Sequence, residues 1–313
     1  MGIIDILSNL KVWIVFGFVA GILIGPVGGD YTSTIMLIVL ILQMTVSFEG
    51  LEFVKNDFMK YKKPMILGMV CCFLVNSSIT ILMGSMFISV NTALWYGWVM
   101  LASVPSAVSV VSASLYLGGD TKATVFMTSA VYLSALIITP LISWIFIGSA
   151  IGPLEILKYI LLFIGIPLIA SRILKRHALP AKGRIIFINV MMGTLLFLAL
   201  GSNRDYMFSQ PDIILWVILV CLIRTFVMGA LMTYMLKHRG VDRDMGMIYV
   251  LFSVWKNSGM ATSLSMVLLS GMPEAAVPGA VSLIIETVWF SAFTSYGEKI
   301  WPHSETPKES LPS

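Results

Sequence analysis

The sequence predicts an all-α membrane protein of ten transmembrane helices, arranged as two inverted five-helix repeats. Three observations carry that prediction. First, the 313-residue chain is 58% hydrophobic and 12% charged, with a mean hydropathy of +0.93. A soluble domain carries about 25% charged residues, so this chain has too few to cover a water-facing surface, and the lipid bilayer is its expected partner. Second, apolar runs near the ~20 residues that span a bilayer recur at approximately 10–27, 33–51, 64–89, 94–117, 123–147, 153–172, 186–202, 211–236, 245–270 and 276–298. Third, the basic residues are segregated. Lys11, Lys55, Lys60, Lys62, Lys63, Lys122, Arg172, Lys175, Arg176, Lys182, Arg184, Lys237, Arg239, Arg243, Lys299 and Lys308 fall at one set of span ends, and only Lys158 and Arg204 at the other. Positive ends are cytoplasmic ends, so the expectation is a multi-pass protein of the cell (inner) membrane with both termini in the cytoplasm.

Taken in order, the first run follows Lys11 but has no small-residue cleavage site, and it reads as a retained helix rather than a signal peptide. The fourth run contains Ser103–Asp120, "SVPSAVSVVSASLYLGGD". Pro105 removes a backbone donor and five serines surround it. Such a helix is expected to be broken and to line a polar cavity; close packing through small residues is the alternative. The ninth run, Tyr249–Met266 or "YVLFSVWKNSGMATSLSM", holds a lysine at its middle. Ser112-Ala-Ser114 in the fourth run resembles Ser263-Leu-Ser265 in the ninth, and glycine follows each within about six residues (Gly118-Gly119, Gly271). Halves of five helices, residues 1–150 and 151–300, must run in opposite directions because five is odd. That is the layout of transporters with sites at interrupted helices. The polar stretch 301–313 is expected to be a disordered cytoplasmic tail.

Few side chains in the apolar runs carry chemistry. His177, His238 and His303 fall in loops or the tail, which leaves no histidine for an intramembrane base, relay or metal site. Cys71, Cys72 and Cys221 lie in apolar runs without metal-ligand spacing and read as small core residues. No cofactor, metal or catalytic residue is predicted, and the chain is not read as an enzyme. The net charge of +4 is spread over short loops, which does not describe a nucleic-acid surface. Three charges remain deep in apolar runs: Arg224, Lys256 and Glu286. Each carries an insertion cost of ~2.5–3.5 kcal/mol, so a partner or a polar cavity is required. Arg224 and Glu286 lie about midway along spans 8 and 10 and are expected to pair as a structural clamp. Lys256 is then the unpaired cation.

The residues from Pro105 through Gly119-Asp120, Met127-Thr128-Ser129 and Thr139-Pro140, with Asn257-Ser258-Gly259 in the ninth span, resemble the bile acid:sodium symporter family. That resemblance implies a panel of spans 1, 2, 6 and 7 against a core of spans 3–5 and 8–10, in which broken helices 4 and 9 cross. The substrate and crossover residues are expected at Pro105, Ser109, Ser112, Thr124, Thr128, Lys256, Asn257 and Ser258. The departures concern the ion. Where the family has the Glu and Gln that bind sodium, this chain has Phe252 and Lys256; where it has Ser-Asn, Val110-Val111; and its span-3 Gln falls on Cys72. Only Thr124 and Thr128 match its hydroxyl ligands. Sodium needs hard oxygen ligands, so Lys256 is expected to supply a built-in cation at the crossing.

The expected function is sodium-independent transport of a small organic anion by alternating access, with protons a candidate coupling ion. Two other classes are open at this stage. One is a non-transporting membrane sensor on the same fold. The other is a photoreceptor with a chromophore in Schiff-base linkage to Lys256 and Glu286 as counter-ion.

Overall fold

The computed structural model describes residues 3–49, 58–148, 151–174 and 179–302. They are helical nearly throughout. The long apolar runs leave the backbone no water to bond, and a helix satisfies every N–H and C=O within its own segment. Twelve helices organise the chain: α1 (Leu10–Ile24), α2 (Thr32–Phe48), α3 (Met59–Phe87), α4 (Thr92–Ser103), α5 (Val110–Tyr116), α6 (Thr121–Ile147), α7 (Leu154–Leu174), α8 (Ala181–Ser202), α9 (Pro211–His238), α10 (Arg243–Val254), α11 (Ser258–Leu268) and α12 (Val277–Ile300). Short turns of helix at Ile3–Leu7 and Arg204–Ser209 flank them.

Among the described residues, seven helices are long and apolar enough to cross a membrane. These are α2, α3, α6, α7, α8, α9 and α12. α1 has 15 residues, about 22 Å at 1.5 Å per residue, which is short of a bilayer core. The fourth and ninth apolar runs are each divided into a pair of helices. The interruptions cover residues 104–109 and 255–257. Helix resumes at Val110, because Ala107 and Val108 carbonyls already accept from Val110 and Val111 N–H.

α8 packs along α1 and α2, and α2 along α7. The α1–α8 contact is made by glycine: a Cβ on Gly17 would lie 2.3 Å from the Gly193 carbonyl oxygen. Lipid offers no hydrophobic drive between helices, so close backbone approach through small residues holds such pairs. Gly17→Ala is therefore expected to lower stability by about 1–3 kcal/mol through overpacking. An unchanged melting temperature in detergent would sink that expectation.

The remaining helices form a second group, in which α4 is buried from Gly97 to its end between α3, α6, α11 and α12. Arg243, counted above among the loop cations, has a further task. Its buried guanidinium donates to the Trp301 carbonyl at 2.8 Å and the Leu117 carbonyl at 2.9 Å. Lys237 donates to the Ile300 carbonyl. Cations thus satisfy carbonyls left free where α5 and α12 end.

His238 is exposed at the end of α9, whereas His177 and His303 lie outside the described residues. So do Lys55, Lys175, Arg176, Lys308 and nearly all of the tail 301–313.

Candidate functional site: two broken helices and a buried ammonium group

Pro105 cannot continue the α4 ladder, so the last carbonyls of α4 need partners from elsewhere. Each finds one. Ala102 O accepts from Ser77 Oγ at 2.6 Å and from Lys256 Nζ at 2.9 Å. Ser103 O accepts from Thr139 Oγ1 at 2.8 Å. Val104 O accepts from Lys256 Nζ at 2.8 Å, and Pro105 O from the Asn257 N–H at 2.8 Å. Ser106 and Lys256 form an isolated antiparallel bridge. The two interruptions therefore meet and exchange main-chain hydrogen bonds.

Lys256 is 1% exposed. Besides Ala102 O and Val104 O, its Nζ lies 3.1 Å from Cys72 O and 2.9 Å from Ser77 Oγ. Four oxygens stand within 3.1 Å, one more than the protons of an ammonium group. The Phe73 ring closes the shell with its centroid 5.1 Å from Nζ. Cys72 and Phe73 belong to Val70–Asn76, a π-helical turn of α3, and the widened turn aims the Cys72 carbonyl inward. Cys72 is thus more than core filling, since its carbonyl and, at 3.6 Å, its sulfur both face the amine.

The other two buried charges pair, with Arg224 Nη2 2.5 Å from Glu286 Oε1. They are not separate from the crossing. Glu286 Oε2 accepts from Ser258 Oγ at 2.7 Å, and Oε1 lies 3.4 Å from the Lys256 backbone N–H. Arg224 Nη1 in turn donates to Asn76 Oδ1 at 3.3 Å. The clamp expected from sequence is therefore also tied to the second interruption, where Glu286 holds the Ser258 hydroxyl at the first residue of α11 and the Lys256 N–H just before it.

Asn257 caps α11 by accepting from the Met260 N–H at 3.0 Å, while its Nδ2 donates to Tyr132 OH at 2.9 Å and contacts Met44 Sδ at 3.5 Å. Thr124 Oγ1 is 2.7 Å from Ser114 Oγ and donates to Asp120 O at 2.8 Å. Thr128 Oγ1 is buried with no hydrogen-bond partner. Neither hydroxyl on α6 thus hydrogen-bonds to the Lys256 shell. Ser109 and Ser112 face elsewhere again.

Those two serines line a cavity of about 740 Å³. It lies between the first turns of α1 and α8 on one side and α5 and α12 on the other, with Trp255 from the second interruption among its walls. Of the sequence-predicted residues, only Ser109 and Ser112 reach it. Lys256, expected to stand beside the substrate as its attracting charge, points its amine away from this cavity into the carbonyl shell. The reason is local: the extended backbone at 255–257 alternates its side chains, sending Trp255 to the cavity and Lys256 into the protein.

Sequence reading missed Ser77, Asn76 and Thr80. Their signal was present as "NSSIT" at 76–80, a polar interruption of the third apolar run. It also missed Thr139 as a carbonyl donor and Lys11 and Arg184 as cavity residues, because the last two were counted only as markers of orientation.

A search of curated proteins finds no match. The family model described as the sodium bile acid symporter family matches residues 34–207, more than half of the chain. The matched segment includes the first interruption and the α3 turn that holds Lys256, whereas Lys256 itself lies beyond it. The chain is a multi-pass membrane protein, and it belongs to the sodium bile acid symporter family, a family of transporters.

Proposed function

We propose that this chain is a secondary transporter of a small organic anion, working by alternating access and independent of sodium, with the Lys256 ammonium in place of a coupling sodium ion. One observation carries the reading: Lys256 Nζ rests on the carbonyls of Cys72, Ala102 and Val104. Inward-aimed carbonyls at broken helices are where transporters of this architecture coordinate Na⁺ or H⁺. Phe252, Val110 and Val111 offer no side-chain oxygen nearby, so a tethered cation takes the role. Enclosed by four oxygens and a ring, that amine makes a poor site for a Schiff base.

Ten spans result when α1, the seven long helices and the two interrupted pairs are each counted as one crossing. Two inverted repeats, at 1–150 and 151–300, are supported by a correspondence of distortions. π-Helical turns occur at Val70–Asn76 in α3 and at Ile223–Val227 in α9, each in the helix before an interrupted pair, while a third, Leu161–Gly165 in α7, has no counterpart in α1. The packing of α1, α2, α7 and α8 with one another supports a panel of spans 1, 2, 6 and 7. With both termini cytoplasmic, the cavity opens inward and the basic ends face the cytosol of a cell whose inner membrane holds the protein.

Uptake of carboxylates and sulfonates into sealed proteoliposomes tests the reading. The initial rate should be saturable and unchanged when external sodium is replaced by potassium or choline at fixed ionic strength. Stimulation by sodium of several-fold, or no uptake of any organic anion, would overturn it.

A further inference from the structure

Resting on that reading, we propose that Lys11 and Arg184 recognise the acid group of the substrate at the cavity mouth, while Trp255 and Phe290 receive its apolar body. The charge pattern of the cavity is one-sided. Among the described residues that line it, Lys11 and Arg184 are the cations and there is no carboxylate. Lys11 is exposed and Arg184 half-buried, and among the described residues neither forms an ion pair. Both stand in the first turns of helices, α1 and α8, whose free N–H groups add positive potential. The glycine contact between Gly17 and Gly193 locks these helices together, which holds the two cations at a set separation.

Trp255 lies in the second interruption, with its ring centroid 4.9 Å from that of Phe290. It marks the end of the cavity nearest the crossing, whereas Lys11 and Arg184 mark the helix starts. Lys256 is excluded from this role by its enclosure. A ligand that matches both ends carries one oxyanion on a flat apolar body, and a volume of about 740 Å³ admits one of drug-like size. The head group of an anionic lipid presents the same oxyanion, so the test separates the two sources.

Naphthalene-2-sulfonate and the neutral naphthalene-2-sulfonamide serve as matched probes, titrated into the full chain in phosphatidylcholine nanodiscs. The wild type should bind the sulfonate saturably and at least about tenfold more tightly than the sulfonamide. Lys11→Gln/Arg184→Gln should erase that preference and leave sulfonamide binding and the melting temperature unchanged. Arg184→Lys should retain most of the preference, and Trp255→Ala should weaken both probes alike. In proteoliposomes the double glutamine variant should raise KM for sulfonate uptake with little change in kcat. A preference that survives in the double variant overturns the proposal, as does absence of saturable binding to the wild type. So does loss of wild-type sulfonate binding in nanodiscs that contain phosphatidylglycerol, which would assign the cations to lipid. If no variant transports any anion but the binding pattern holds, the transport reading fails and this site stands. If uptake is sodium-independent but the double variant binds as the wild type does, the reverse is true.

Discussion

Lys256→Gln is expected to reduce organic-anion uptake to below about a hundredth of the wild-type rate while the protein still inserts and purifies. The amide keeps two donors but no charge, and it is one bond shorter. The carbonyls of Cys72, Ala102 and Val104 then face one another without a cation. An unsatisfied buried acceptor costs about 1–3 kcal/mol, and Ala102 O keeps its bond from Ser77 Oγ. The resting structure should therefore lose a few kcal/mol without collapsing, and the crossing should lose the charge that holds both interruptions together. Lys256→Arg is expected to fail as well, because a planar fork cannot fill a four-oxygen shell built for a compact ammonium. Initial uptake rates and melting temperatures measured on the same preparations decide the matter. Uptake above about a tenth of wild type in Lys256→Gln would show that the fixed charge is dispensable. In this scheme the ammonium stays charged through the cycle, so the uptake rate should also be flat between pH 6 and 9. A steep change across that range would point to a lysine that releases its proton, and to proton coupling.

The second large effect concerns Arg224 and Glu286, paired at 2.5 Å with both side chains buried. Removing either partner alone, as Arg224→Met or Glu286→Gln, should lower stability by ~3–5 kcal/mol, since an uncompensated charge is left in the interior. The double variant should recover much of the loss. Recovery should be incomplete, because Glu286 also accepts from Ser258 Oγ and the Lys256 N–H. Denaturation of the four proteins in one detergent forms the cycle. If the double variant is no more stable than the worse single one, the two charges are not coupled and the clamp has no energetic basis. Transport should fall in every one of these variants, because Glu286 holds Ser258 and the Lys256 backbone at the crossing.

Much of the fold was legible in the residues. Composition alone required a lipid environment, and the Pro105 and Lys256 stretches marked the two places where an apolar run could not remain one helix. Membrane chemistry makes these signals strong, since each free carbonyl or buried charge must be answered inside the protein. The Arg224–Glu286 pair was legible for the same reason: two opposite charges in lipid have few other partners.

What the sequence by itself determined is therefore the class of fold, the position of both breaks and the identity of the three charges that matter. Only the tertiary structure decided what each charge touches. Lys256 was expected beside a substrate, but the extended backbone of residues 255–257 turns its amine into the carbonyl shell and its neighbour Trp255 toward the cavity. The oxygens that receive it come from α3, α4 and the first residue of the interruption after α4, more than 150 residues away, and a carbonyl has no signature in a list of side chains. Lys11 and Arg184 looked like topological markers until close contact between α1 and α8 set them at one cavity. Local sequence dictates which groups must be satisfied; the long-range packing of helices chooses the partner, because the satisfying group is main chain as often as side chain.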